Sequence, residues 1–255
     1  MATMGYKLTH DTGFAPNPFH GHLTLATCKP KIRLCRGKGD WVAGFVSVKL
    51  SIYAARNGVS LKPGALVYLM QITEDPIRLE DYFEDRRFAA KKPDMRSSSP
   101  EVRCGDNIYY RLNGGTGQLE NDQHGQGDEY HDLSGVNALV SRRFYYFGRN
   151  AFMPPEGWIT FLGSSLSTGR TFYCPDSLVP RLLAHFEREG IGEGLHGSPS
   201  LWPVDVALPR ERNSSCRSLS DAAYKKKNPR TQPVSNDEAA LAQRPVLAGC
   251  GFSNH

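Results

Sequence analysis

The sequence predicts an α+β fold, a single β-rich domain around a curved sheet or partial barrel, with one amphipathic helix near its carboxyl end. Three observations carry this. Strand-like segments recur from residue 5 to residue 162. Only one stretch has full helical spacing with matching start and stop signals. The connections between them are polar and punctuated by Gly and Pro.

The elements follow in order. GYKLTH (5–10) opens as a short strand. HLTLATC (22–28) alternates, with Leu23, Leu25 and Thr27 opposite His22, Thr24, Ala26 and Cys28, the period of a half-buried strand. GDWVAGFVSVKLSIY (39–53) leaves a Gly-Asp turn as a long β-branched and aromatic run, interrupted at Gly44. ALVYLMQITE (65–74) starts from the turn Lys62-Pro63-Gly64. NIYYRL (107–112), ALVSRRFYYFG (138–148) and WITFL (158–162) complete the strands. The helix is capped by Asp176 or Ser177, places Val179, Leu182, Leu183 and Phe186 on one face, and ends at Gly190. A second helix is expected over Leu79 to Ala90.

A chain of 255 residues can bury a core without covalent staples. The domain is expected to span 4–208. From Pro209 on, large apolar residues are scarce and Ser, Asn, Pro and Arg abundant, so 209–255 reads as a disordered basic tail with at most a short helix at 236–243. That tail holds eight Lys and Arg against four Asp and Glu, which leaves the body 23 against 22 out of a net charge of +5. A near-neutral body lacks the surface of a strong duplex binder and suits a pocket for one nucleotide or flipped base. No apolar run is long enough to span a membrane and no export signal is visible, so a cytoplasmic protein with reduced thiols is expected. Its six cysteines form no CxxC pair.

Chemistry concentrates in HDTGFAPNPFHG (10–21). Pro16 and Pro18 hold Ala15 and Asn17 extended, and Gly13 and Gly21 let the chain turn at either end. Such a loop aims Asn17, whose amide suits a base edge; Asp11 would accept from a sugar hydroxyl or amine, and Phe14 or Phe19 would stack. The alternative is a turn in which Asp11 and Asn17 satisfy their own backbone. In TLATCKPKIR (24–33), polar groups end a strand: Thr27 faces a site, Lys29 and Arg33 contact phosphate, and Cys28 is either a nucleophile or a small buried hydrophobe. His20 and His22 lack a third ligand at recognised spacing, so no metal is assigned. NDQHGQGDEYHD (121–132), with His124 and His131 among acids, reads as a mobile surface loop. GSSLSTGR (163–170) lacks the ending of a P-loop.

Taken in order, HDTGFAPNPFHG, TLATCKP-x-IR, GDWVAGF, EDRRFAAKKP, CGDNIYYR and LVSRRFYYFG resemble the second of the nucleotide-modification-associated domain families of phages and bacteria, from Tyr6 to about Phe147 and more faintly to Trp202-Pro203. Carried across, the resemblance points to Asp11, Asn17, Pro18, Thr27, Lys29, Arg33, Asp40, Asp85, Arg87, Lys92, Asp106, Asn107, Phe147 and Gly148. It implies a link to systems that install or recognise altered bases, without a settled reaction. The run from the Gly-Asp turn through VYLMQITE to a short helix also resembles small PUA, EVE and ASCH barrels.

Two functions follow. The first is a reader that binds a nucleotide or modified base, free or within DNA, with Asn17 and Asp11 on the base, aromatic stacking, and Lys29 and Arg33 on phosphate. The second is a transferase-like enzyme acting on a nucleotide or base, with Asp11 or Asp106 as general base and Cys28 or Lys29 as the covalent or electrostatic element. A scaffold module is the third alternative. No cofactor or oligomeric state is assigned.

Overall fold

The computed structural model describes residues 2–153 and 171–202. The strand expected at 158–162, the Gly/Ser loop at 163–170 and the tail from 209 lie outside the described residues. In chain order the first half holds β1 (Thr3–Leu8), β2 (Leu23–Leu25), α1 (Pro30–Cys35), β3 (Trp41–Val46), α2 (Val48–Arg56) and β4 (Leu66–Gln71). There follow β5 (Ile77–Arg78), α3 (Leu79–Glu84), a 3-10 turn at Arg86–Lys91, α4 (Pro100–Arg103), β6 (Tyr109–Leu112) and β7 (Gly115–Gln118). The last elements are α5 (Glu129–Leu133), β8 (Asn137–Ser141), β9 (Arg143–Tyr146), β10 (Thr171–Tyr173), α6 (Leu178–Arg188) and β11 (Gly194–Leu195).

A mixed six-stranded sheet, in the order β10-β1-β3-β4-β9-β11, forms the centre. Here β1 and β3 run parallel, with Thr3 opposite Trp41 and Leu8 opposite Val46, as do β9 and β11; the other neighbours are antiparallel. Both faces are covered, which is why WVAGFV and LVYLM read as continuous apolar runs rather than alternating ones. On one face Met4, Tyr6, Leu8, Val42 and Tyr68 pack with Leu50 and Ala54 of α2 and with Leu23, Leu25 and Leu139 of a second sheet, β2-β8-β5. Opposite, Trp41, Ala43, Phe45 and Tyr145 pack against Leu178, Val179, Leu182 and Phe186 of α6. A third cluster joins Phe14, Tyr82, Phe88, Ile108, Tyr109 and Val140 beneath α3 and the β6–β7 hairpin. The fold is α+β, and no closed barrel forms among the described residues. No described helix is long and apolar enough to cross a membrane.

Three expectations are corrected. The strand expected over 39–53 stops at Val46, and residues 48–56 are α2: Ser47 Oγ accepts the Leu50 N–H at 3.0 Å, a helix start hidden inside a β-branched run. The strand expected over 138–148 breaks at Arg142 into β8 and β9, which belong to different sheets. Finally, Cys104 and Cys174 are free thiols, but Cys35 is disulfide-bonded, so the expectation that all thiols are reduced does not hold.

Gly44 has a packing reason. A Cβ there would lie 2.2 Å from the Tyr68 ring and 2.5 Å from Leu8, because the ring crosses the strand at that point to bring its hydroxyl 3.0 Å from that of Tyr6. Gly44→Ala is therefore expected to cost about 1–3 kcal/mol. A melting temperature within a degree of the wild type would show that the ring moves aside freely.

Candidate active site

Cys28 sits where the chain leaves the β2 segment for α1. It and Lys29 are consecutive left-handed residues, with φ of 55° and 41°, and Pro30 then opens the helix. Left-handed geometry costs a residue with a side chain roughly 1–3 kcal/mol, so the surroundings must impose it. They do so through the backbone on both sides of the thiol. The Cys28 N–H donates to Asp132 Oδ1 at 2.6 Å, and Arg33 Nε donates to the Cys28 carbonyl at 2.7 Å.

Arg33 is itself fully buried. Its Nη1 donates to the Asn137 carbonyl at 2.9 Å and its Nη2 to the Asp132 carbonyl. Gly135 permits this, since a Cβ there would come within 2.5 Å of the guanidinium carbon. Burial pushes the Arg33 guanidinium below its usual range, opposed by the Asp132 charge.

The second component is His124, from the segment expected to be a mobile surface loop. His124 is instead buried, and an Asn121 turn holds it: Asn121 Oδ1 accepts the His124 N–H at 2.7 Å, and Asn121 Nδ2 and Gln118 Nε2 donate to its carbonyl. Phe14 meets its ring edge-on, with centroids 4.9 Å apart. His124 Nδ1 lies 2.6 Å from Asp132 Oδ2, and Nε2 lies 3.3 Å from Cys28 Sγ. A carboxylate on Nδ1 fixes the proton there and leaves Nε2 as the acceptor facing the thiol. Asp132 has 0% exposure and also accepts the Tyr109 hydroxyl at 2.8 Å. Burial raises its carboxyl, but His124, Arg33 and the Cys28 N–H outweigh that and hold it below the usual range. Chemically, such an arrangement could serve as a nucleophile, a base and a group that orients the base.

Residues 2–205 match the family of nucleotide modification associated domain 2. The chain belongs to that family. Membership ties it to nucleotide modification, and the match runs through the whole described fold. No curated protein matches the chain, and no solved structure does.

For this family member, the residues expected to form the site divide into three groups. Cys28, Lys29, Thr27, Arg33 and Phe14 lie at or against the Cys28–His124–Asp132 set. Lys29 Nζ sits 4.7 Å over the Tyr6 ring, Thr27 is fully buried, and Phe14 packs on His124. Others are bound up within the fold. Asp11 accepts the Tyr146 hydroxyl and the Ser200 N–H, and burial raises its carboxyl against both. The Asn17 backbone pairs with Thr24, its Nδ2 donates to the Cys104 carbonyl at 3.0 Å, and its Oδ1 accepts Lys91 Nζ at 2.6 Å. Asp106 accepts Thr24 Oγ1 and the Tyr82 hydroxyl, Asn107 donates to the Tyr82 and Phe88 carbonyls, and Phe19 stacks on Trp202. A third group lies towards the surface, where Asp85 and Arg87 pair with each other and Lys92 covers the Phe83 ring. Asp11, Asn17 and Arg33 thus each have protein partners of their own.

The donor atoms of Cys28, His124 and Asp132 lie within 4.8 Å of one another, close enough to hold a metal ion. The set fits an ion poorly. Asp132 Oδ2 stands on the far ring nitrogen, so among the described residues an ion on Nε2 would have the thiolate and one imidazole, fewer than the three protein ligands usual for catalytic zinc.

His124, Asp132 and Tyr109 were not singled out as site residues. The visible signal was a His and an Asp eight apart in one polar segment, but nothing local ties them to a cysteine 96 residues away.

Asp132→Ala removes the acceptor of His124, Tyr109 and the Cys28 N–H beside a buried guanidinium, and should cost about 3–5 kcal/mol in urea unfolding. A smaller loss than for a surface Asp→Ala control would refute the assignment. Burial, with Lys49, His124 and Lys29, lowers His10 to about 4. Its unfolded value is about 6.5, so between these the unfolded chain takes up a proton that the folded chain does not, and stability falls as pH drops through that window. His10→Gln should lose less melting temperature than wild type between neutral pH and the lower end of that window; parallel curves would contradict the burial of His10.

Proposed function

We propose that the protein is a thiol-dependent enzyme acting on a nucleotide or on a group carried by a base, within a nucleotide-modification system. One observation carries the reading: Cys28 Sγ lies 3.3 Å from His124 Nε2, while Nδ1 of the same ring is 2.6 Å from a buried carboxylate. A protein that only binds nucleotides has no need of a strained cysteine with an oriented base against it. Asp11 and Asp106, the bases expected from the sequence, have their oxygens on Tyr146, Ser200, Thr24 and Tyr82. His124 takes that role.

The chemistry follows from these atoms. His124 Nε2 removes the thiol proton, and Asp132 stabilises the imidazolium. The thiolate forms a bond to an electrophilic carbon of the substrate as the bond to the leaving group breaks, and the leaving group takes the proton from His124. An acceptor nucleophile, deprotonated by His124, then displaces Cys28 and returns the thiol. The Cys28 N–H already donates to Asp132, so developing negative charge must be met by other donors, of which Lys29 is adjacent in sequence.

Iodoacetamide followed by peptide mass spectrometry tests the thiol directly. Burial raises Cys104 and Cys174 to about 12, so they stay protonated at neutral pH and Cys28 should be the thiol modified among these three. His124→Gln is expected to slow Cys28 alkylation roughly tenfold or more, and Asp132→Asn by a smaller factor. Alkylation of Cys28 at the wild-type rate in both variants would remove the proposed base. Nucleoside mass spectrometry of DNA from cells expressing the wild type or Cys28→Ser, together with the genomic neighbours, then reads the product.

A further inference from the structure

Three cationic or imidazole side chains, one of them next to Cys28 in the chain, are not used by the thiol, its base or the base's carboxylate. β1 and β3 are parallel neighbours whose carboxyl ends lie side by side, with Leu8 opposite Val46. Just past the end of β1 comes His10; just past the end of β3 comes Lys49, in the first turn of α2. Tyr53, one turn further along α2, joins them: the His10 ring is 5.5 Å from the Tyr53 ring, and Lys49 Nζ is 5.1 Å from the same ring. Lys29, next to Cys28, rests on Tyr6, which points from the same strand two residues before Leu8.

Many of the described arginines are paired with a neighbouring carboxylate. Arg36, Arg87, Arg96, Arg103, Arg111, Arg142, Arg143 and Arg188 each have a carboxylate within ion-pair distance. Among the described residues Lys29 and Lys49 have none, and Lys49 Nζ is buried with no hydrogen-bond partner at all. An ammonium withdrawn from water and left unpaired is costly, and a bound anion removes that cost. The place is also apt, because crevices at the carboxyl ends of parallel strands are where open sheets receive phosphorylated ligands. The electrostatics agree, for Lys49, His124 and Lys29 all act on His10.

We infer that His10, Lys29 and Lys49 form an anion subsite beside Cys28 that takes a phosphate group of the substrate. The substrate class narrows accordingly, to a phosphate-bearing nucleotide, free or within a strand, rather than a free base or nucleoside. The identity of that substrate rests on the thiol reading; the subsite itself does not.

The test is calorimetric titration of inorganic phosphate into the full-length Cys28→Ser protein, which lacks the thiol but keeps all three side chains. Adding Lys49→Gln or Lys29→Gln should weaken phosphate binding roughly tenfold each, whereas Lys62→Gln, an exposed lysine, should leave it unchanged. Melting curves establish that each variant is folded, and Lys29, half-buried, serves should the Lys49 variant fail to fold. Deoxynucleoside 5′-monophosphates and a short single-stranded oligonucleotide are then titrated. Tighter binding of either than of the matching nucleosides supports the subsite and identifies the source of the phosphate. Absence of phosphate binding at millimolar concentration, or equal binding by the Lys29, Lys49 and Lys62 variants, overturns it. His124-independent alkylation of Cys28 would defeat the thiol chemistry and leave this titration unaffected.

Discussion

One buried carboxylate organises the centre of this molecule. Asp132 accepts the backbone N–H of Cys28, the imidazole of His124 and the hydroxyl of Tyr109, and its own carbonyl accepts from Arg33. These groups come from the chain after β2, the turn after β7, strand β6 and helix α1. None of those short elements has enough apolar surface to fix its own position to the accuracy that proton transfer demands. The charge can persist in so dry a place because it is surrounded by donors, and removing any of them would leave a buried group unpaired. Arg33 completes the arrangement by gripping the carbonyl of the residue whose N–H Asp132 holds. The left-handed turn at Cys28 is clamped on both sides of its side chain. Fold and site therefore share one set of bonds.

A second polar network, built around Lys91, stiffens the opening loop. Its ammonium donates to the Asn17 carbonyl, the Asn17 side chain and the His22 carbonyl, and burial lowers it to about 8. Asp106, with Thr24 and Tyr82, lies close enough to oppose that shift. The prolines and asparagine of residues 10–21 are in this sense a buckle. They tie the β2 hairpin to the 3-10 turn after α3, and Asp11 ties the same loop to residues 200 and 201. What the loop supplies to the chemistry is Phe14 against the His124 ring.

This explains which parts could be read from sequence. Strand β4 and the start of β3 were legible because a doubly covered sheet writes its burial directly into composition. Residues 48–56 were not, since Val48, Ile52 and Tyr53 suit a strand as well as a helix, and only the Ser47 cap separates the two. Family membership was legible because it depends on the order of segments rather than on their contacts. The prolines of the loop at 10–21 predict restricted backbone geometry, but such restriction does not reveal whether polar groups point outward or into the protein. Asn17 bonds the Cys104 carbonyl and Lys91, partners remote in sequence that neither a base contact nor a turn onto its own backbone would have named. The 121–132 segment deceived in the opposite direction. Its charge and glycines suggested solvent, yet His124, Asp128 and Asp132 are all buried, because their partners come from elsewhere in the chain.

Charge is unevenly distributed around the Cys28 thiol. In many cysteine nucleophiles the peptide N–H of the nucleophile helps to stabilise the anion formed on attack. Here that N–H is committed to Asp132, and the Asp132 charge lies behind the imidazole. Negative charge is thus already concentrated on the protein side of the reacting centre. A substrate that develops more of it would need compensation from the opposite direction, and Lys29 and Lys49, which have no carboxylate partner among the described residues, are the groups proposed to supply it. That makes the recognition group and the reacting group electrostatically interdependent: an anion that neutralises the lysines too fully would leave less field for the transition state. Discrimination between substrates would then rest on where along the phosphate the charge is placed, more than on the outline of the base.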